Sequence, residues 1–463
     1  MMIKLKLTVV LYLVMLLKTS VAQNDTLKLT LTEAHKFALA HNKELQNAKA
    51  DILLANAQYK ETRSQGLPHL DGNLNYMTNF NYKVKFEFAP SGETTMPDIN
   101  TAVLDEGDFE ILDLLNQMFA PSDPATIAMT DQANAQVTVS QLIFNGQFWV
   151  GLKIADIYKK LSKIQLKRTE NEVIEQVTNT YYLILATRES LEIINKNLTN
   201  LKSTLNHTKN MYNAGLLEKY DVDQLRMNVS QLENSREATR RNLQLTYNML
   251  KIQLGLEPHR NIILTDHLST LIEEAKKRIP EQKLVPSTNI SYQLISFQEV
   301  LHQKQVDLEK WGSAPTLTGY YSYTEKLLTT DFDLSPKNAA GLNLSIPIYS
   351  GGSKKAKIST AKVNLDKTLR NKSLLEDQLH LQEVQLKYNL QSALDNYTTQ
   401  KENVAVAERV YNSIFNKYKQ GLVSSLDLTQ ANNNYLKAEN TFISSILEVL
   451  QSILALDRLY NNL

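Results

Sequence analysis

Cysteine is absent from all 463 residues. That excludes disulfides, thiolate catalysis and Cys-ligated metals, and it fits an exported bacterial protein that needs no redox staple. Glycine (14) and proline (11) are scarce for this length, which favours long uninterrupted helices over many turns. Charge of one sign is missing too. The net charge is +1, so no strong field favours nucleic acid or acidic substrates, and no basic patch with interleaved aromatics appears. The eight histidines, among them His35, His41, His69 and His302, lack the H-E-x-x-H or Cys-His spacing of a metal site. "SGGSKK" (350–355) lacks the register of a phosphate loop and reads as a strand-to-helix corner. N-x-[ST] triplets such as Asn197–Thr199 are expected by chance in an Asn-rich chain. No catalytic constellation, cofactor motif or metal set is found, so no enzymatic function is expected.

What is present begins with Lys4 and Lys6, the apolar run "LTVVLYLVMLL" (7–17) and "SVA" (20–22) before Gln23. This is the layout of a cleavable secretory signal, assigned to 1–22. The apolar run is shorter than the roughly 20 residues a spanning helix needs. No later stretch approaches that length, so a mature protein in a membrane must sit there with strands.

The chain is written twice. "VSQLIFNGQFWVGLKIADI" (139–157) matches "LSIPIYSGGSKKAKISTAK" (344–362), and "MYNAGLLEKYDVDQLRMNVSQLE" (211–233) matches "KYKQGLVSSLDLTQANNNYLKAE" (417–439). Gly146 pairs with Gly351 at an offset of 205, Gly215 with Gly421 at 206, and Pro68 with Pro315 at 247. The jump in offset marks an insertion in the first copy between 86 and 133, acidic and partly helical in pattern, which reads as an external loop. The turn 328–338, with Asp331, Asp333 and Pro336, is its short counterpart. The units are far longer than a solenoid repeat. The first repeat spans 23–255, a Pro-broken equatorial linker 256–288, and the second repeat 289–463.

Each repeat carries a helix, two strands, a very long helix, a tip and a return helix. Strands are expected at about 70–86, 133–144, 316–327 and 339–349. Residues 70–88 alternate: Leu70, Leu74, Tyr76, Phe80 and Tyr82 on one face, Asn73, Asn75, Asn79 and Lys83 on the other. The long helices are 147–212 and 352–419, with tips at 213–221 and 420–427 and return helices over 222–254 and 427–460. Val177, Tyr181, Ile184, Leu191, Ile194, Leu198, Leu201, Leu205 and Tyr212 step by three and four, with Arg188 and Thr208 filling the missed places. That is a heptad seam. Helices 32–64 and 289–311 are the pieces to stack end to end on the return helices. Four strands alone expose two edges, which lipid forbids. Three copies supply twelve strands, enough to close an outer-membrane barrel. Leu74, Tyr76, Phe80 and Tyr82 would then face lipid.

With these residues in view, the chain resembles the TolC-like outer-membrane factors over essentially all of its mature length. The carrying motifs are "LTLTEAHKFALAHNKELQNAKA", "LIFNGQ", "IPIYSGG", and the tips Tyr212-x-x-Gly215 with Asp221-Val222 and Tyr418-x-x-Gly421 with Asp427-Leu428. The resemblance implies a mixed α/β membrane protein, a homotrimer with a twelve-stranded barrel in the outer-membrane lipid and a periplasmic helical tunnel. It also implies a periplasmic adaptor and an inner-membrane transporter as partners. The family's second-repeat tip pattern falls on Tyr418, Gly421, Asp427 and Gln430, so the second acid of that pattern is absent here, and Val423 stands where the family's best-known member has arginine. Asp427 could ring the aperture with Asp221, Asp223, Tyr212 and Tyr418, or serve as a helix N-cap. Gly215, Leu216 and Leu217, with Gly421, Leu422 and Val423, sit where members present a turn to adaptor hairpins. The alternative is that the glycines simply allow a positive φ. Passive small-molecule efflux, type I protein secretion and a non-membrane coiled-coil or adhesin-like protein remain open at this point.

Overall fold

A computed structural model describes residues 27–80, 82–86, 101–119, 125–128, 131–279, 282–328 and 335–463. The signal segment 1–22, much of the insertion and residues 329–334 of its short counterpart lie outside the described residues. In chain order the elements are β1 Leu27–Leu29, α1 Leu31–His41, α2 Lys43–Ser64, β2 His69–Met77, β3 Lys83–Phe86, α3 Glu106–Phe119, β4 Ala125–Ala128, β5 Gln132–Asn145, α4 Gly146–Asn213 and α5 Lys219–Gln253. Then come β6 Ile262–Leu264, α6 Leu268–Lys277, α7 Ile290–Trp311, β7 Thr316–Leu328, β8 Asn338–Ser345, α8 Ser353–Lys419 and α9 Ser425–Tyr460. They form two compact units: Met1–Lys60, Leu152–Asp307 and Lys355–Leu463; and Glu61–Gly151 with Leu308–Lys354.

The second unit is built on a four-stranded antiparallel sheet ordered β2-β5-β7-β8. Residues directly opposite one another share a face. One face carries Leu70, Leu74 and Tyr76 against Val139, Ala135 and Ala133, then Tyr321 and Tyr323, then Leu342 and Leu344. The other carries Asn73 against Gln136, Asn75 against Asn134, and Thr138 against Ser322. The apolar face is uncovered: Leu74 is 75% exposed and Leu342 71%.

Two strand expectations need correction. The strand expected over 70–86 is broken after Met77. Phe80 takes a left-handed φ of 49°, Tyr82 N–H donates to the Asn79 carbonyl at 3.0 Å, and Tyr76 Oη and Thr78 Oγ1 both donate to Asp131. The chain then resumes as β3, paired with β4 in a separate two-stranded sheet. Phe80 and Tyr82, expected on the lipid-facing strand, therefore lie in the connection. A period-two pattern continues through a short turn without showing it. The strand expected over 339–349 stops at Ser345, because Pro347 has no N–H to give to a ladder.

The other unit is helical. α4 runs 68 residues and α8 67, each about 100 Å at 1.5 Å per residue. The two places where the α4 heptad loses its apolar residue hold polar anchors. Thr208 is fully buried and shares a 2.6 Å hydrogen bond with Tyr418 Oη. Arg188 donates to the Leu264 and Asp266 carbonyls, both at 2.9 Å. The linker is thus more than a Pro-broken break: β6 pairs in parallel with β1, and Asp266 accepts hydrogen bonds from Leu31 N–H and Tyr181 Oη.

The helices 31–64 and 290–311 meet the return helices through one residue type used twice. The expected helix 32–64 is split at Asn42, whose Oδ1 caps α2 at Leu45 N–H while its Nδ2 donates to the Gln253 carbonyl at the end of α5. Asn289 repeats this. Its Oδ1 accepts from Ser291 and Tyr292 N–H, and its Nδ2 donates to the Leu459 carbonyl near the end of α9. One buried amide in each copy satisfies orphan donors of one helix and an orphan acceptor of another. Gly255 closes the first junction, with φ of 72° and no room for a Cβ beside the His41 carbonyl.

Candidate functional site

The tips are the ends of α4 and α8 and the starts of α5 and α9. Both long helices end in the same cap. Gly215 N–H donates to the Tyr212 carbonyl and Leu216 N–H to Met211; Gly421 and Leu422 repeat this with Tyr418 and Lys417. This is the Schellman pattern, whose left-handed residue is nearly always glycine. Gly215 has φ of 76° and Gly421 72°. The conformational reason for these glycines is therefore sufficient by itself.

The cap turns each following leucine outward. Leu216 is 69% exposed and Leu422 68%. Leu217 and Val423 are half-buried, and Val423 packs against the tip core of Leu198, Leu201, Leu205, Val222, Leu225, Tyr418 and Leu428.

The acidic residues part ways. Asp427 is at the third position of α9, not at its N-cap. The N-cap is Ser424, which donates to the Asp427 carboxylate from Oγ at 2.7 Å and from its backbone N–H at 3.0 Å, while Asp427 N–H returns a bond to Ser424 Oγ. This capping box holds the Asp427 carboxyl below the usual carboxylate range, the Ser424 hydroxyl contributing most. Asp427 stays exposed, with Gln430 exposed one turn on. Asp221 has the same position in α5, but the N-cap there is Glu218, which makes no side-chain cap. Asp221 instead accepts from the buried Ser425 Oγ at 2.5 Å, joining the two repeats. Asp223 is paired with Arg226 at 3.0 Å.

The tyrosines also separate. Tyr418 is 2% exposed and bonded to Thr208, and burial raises its phenol pKa. Tyr418 is consumed inside the subunit core, which corrects its expected place at the aperture. Tyr212, its counterpart, is 42% exposed. Ser425 was not singled out by sequence. Its signal was the mismatch of the copies, since Lys219 stands at the matching place in the first. Among the described residues no cluster of three or more His, Asp or Glu could hold a metal ion, and no helix is long and apolar enough to cross a membrane.

The model of the outer membrane efflux protein family matches residues 114–256 and 297–462, more than half of the chain. The chain belongs to that family. It is 21% identical to the outer membrane protein TolC of Vibrio cholerae serotype O1 over 352 residues, 70% of this chain and 77% of the relative. The crystal structure of the Campylobacter jejuni CmeC outer membrane channel superposes with a TM-score of 0.71 at 16% identity, covering 93% of this chain and 85% of CmeC. The Neisseria gonorrhoeae MtrE outer membrane channel, solved in its open state, gives 0.67 at 14%, covering 93% and 88%. Those likenesses carry the fold: long helices and four strands of a TolC-type channel. Family members are channels and not enzymes.

Proposed function

We propose that this member of the outer membrane efflux family works as a homotrimer, a passive duct of a tripartite export system for small molecules. The observation that carries the reading is the β2-β5-β7-β8 sheet, with one uncovered apolar face, one polar face and, among the described residues, unpaired outer edges at β2 and β8. In lipid such edges must close, and three copies of four strands give a twelve-stranded barrel within the range of outer-membrane proteins. The polar face would then line a watery lumen. The helices point the same way. Leu374, Leu381, Val384 and Tyr388 on α8, and Leu245, Met249 and Ile252 on α5, are exposed at three-, four- and seven-residue spacing, seams of the kind another helix covers.

In this reading the helical unit stands in the periplasm and the tips, with Leu216 and Leu422 outermost, meet a periplasmic adaptor that links to an inner-membrane transporter. Asp427 and Gln430 border the aperture. The duct itself supplies no energy; the transporter does. The test is membrane fractionation with unboiled gels. A heat-modifiable trimer in the outer-membrane fraction is expected. A soluble monomer, or trimers only in the periplasmic extract, would remove the barrel.

A further inference from the structure

Positive charge gathers at one place on a chain whose net charge is only +1. Residues 236–261, the last part of α5 and the start of the linker, hold five Lys and Arg against two Glu. A cavity of about 570 Å³ opens there, within the roughly 300–1,000 Å³ of small-ligand sites. Arg240, Gln244, Tyr247, Asn248 and Lys251 of α5 line it, with Asn261 of the linker. Among the described residues no Asp or Glu lines it.

The cavity uses a third face of α5. At 3.6 residues per turn, Arg240, Gln244 and Lys251 lie about 120° from the buried Thr246 and Leu250. They lie about as far from the exposed seam of Leu245, Met249 and Ile252. A helix laid on that seam would sit a third of a turn away from the cavity.

The polar groups are largely unspent. Arg240 gives Nε to Glu237 at 3.0 Å, and neither Nη finds an acceptor among the described residues. Lys251 gives one Nζ–H to the Pro258 carbonyl at 2.7 Å, which leaves the others free. The side-chain amides of Gln244, Asn248 and Asn261 make no hydrogen bond among the described residues. Burial raises the pKa of the Tyr247 phenol, against the pull of the Arg188 guanidinium, so its hydroxyl stays protonated. Glu257, at the margin, is taken up by His259 at 3.0 Å.

Spacing selects the shape of the anion. Arg240 and Lys251 lie roughly 16 Å apart along the axis at 1.5 Å per residue. A single phosphate or carboxylate cannot reach both. Between them stand amides, which donate and accept at once and so match hydroxyl and acetamido groups.

We propose that this cavity binds an extended acidic glycan, its carboxylates on Arg240 and Lys251 and its sugar hydroxyls on the amides between. Which glycan reaches it rests on the periplasmic reading above. Cell-wall strands and free acidic oligosaccharides both carry this chemistry.

Purified protein is mixed with isolated cell-wall sacculi and, separately, with a fluorescent hyaluronan decasaccharide, a free chain of alternating acetamido sugar and uronic acid. Sedimentation with the first, or a rise in anisotropy with the second, is expected. Arg240→Gln combined with Lys251→Gln should weaken binding about tenfold. Gln244→Glu sets a carboxylate in the cavity and spares the Lys251 tie to Pro258; it should weaken binding too, and decides if the double variant fails to fold. Lys362→Gln with Lys367→Gln, both exposed on α8, removes equal charge elsewhere and should change nothing. Binding to sacculi alone assigns the wall, binding to the decasaccharide alone a free chain, and binding to both the shared chemistry. No binding to either, full binding by the cavity variants, or an equal loss in the α8 variant overturns the site. None of these results touches the export reading, which the unboiled gels test separately.

Discussion

Asp221 and Asp427 hold the same position in the two repeats, third residue of the return helix, yet spend their carboxylates differently. Asp427 closes the capping box of its own helix with Ser424, while Asp221 reaches the Ser425 hydroxyl of the other repeat. The difference follows from the residue three places earlier: serine can cap, whereas Glu218 makes no cap. Duplication supplied two equal acids, and one N-cap decided which became a cross-repeat tie. Asp221→Asn and Ser425→Ala should each lower the temperature at which the purified protein unfolds. The double variant should add little, because each single change already removes a bond worth about 1.5–3 kcal/mol. Additive losses would show that the pair is not coupled.

The aperture proposal is separable from the cap. Asp427→Asn keeps a polar side chain at the third position and removes the charge. If three copies of Asp427 line the opening, conductance of the wild-type trimer in a bilayer is small and cation-preferring, and multivalent cations on the helical side block it. The substitution should relieve that block sharply. An unchanged block would move the selectivity to Asp223, Gln430 or Tyr212.

Acid should loosen the second tip. The folded pKa of Asp427 lies below its ordinary value, mainly through Ser424. Stability from this contact is therefore complete above the ordinary carboxylate range and lost as pH falls through the lowered folded value. Hydrogen exchange at the start of α9 should rise below about pH 4 in wild type, with a flatter acid dependence in Ser424→Ala.

The sheet faces predict opposite responses to one substitution. In the proposed barrel, Leu74→Arg on the apolar face should cost about 2–4 kcal/mol near mid-membrane and deplete trimer from the membrane. Asn75→Arg, facing the other way, should be tolerated. Equal losses would mean that the two faces meet the same surroundings.

For the exposed tip leucines the expected split is between assembly and transport. In the proposed duct, Leu216→Asp combined with Leu422→Asp should leave unboiled trimers at normal levels and abolish export, since both side chains point away from the subunit core. Normal export by that variant would take the tips out of the adaptor interface.

The sequence by itself determined the duplication, the long helices and the apolar alternation of the strands, because each is periodic and local: heptads in α4, period two in β2, and a constant offset between the copies. It also marked Gly215 and Gly421, since a left-handed cap favours glycine. The turn at Phe80 escaped because alternation does not reveal where a strand stops pairing. Tertiary structure alone decided the fate of the polar exceptions. Thr208 and Arg188 look like flaws in a seam until Tyr418 and the Leu264 and Asp266 carbonyls arrive from distant elements. Asn42 and Asn289 look like ordinary helix caps until the ends of α5 and α9 are brought against their amides. A donor without an acceptor in its own segment has its partner fixed by packing, and packing is not written in any one stretch of chain.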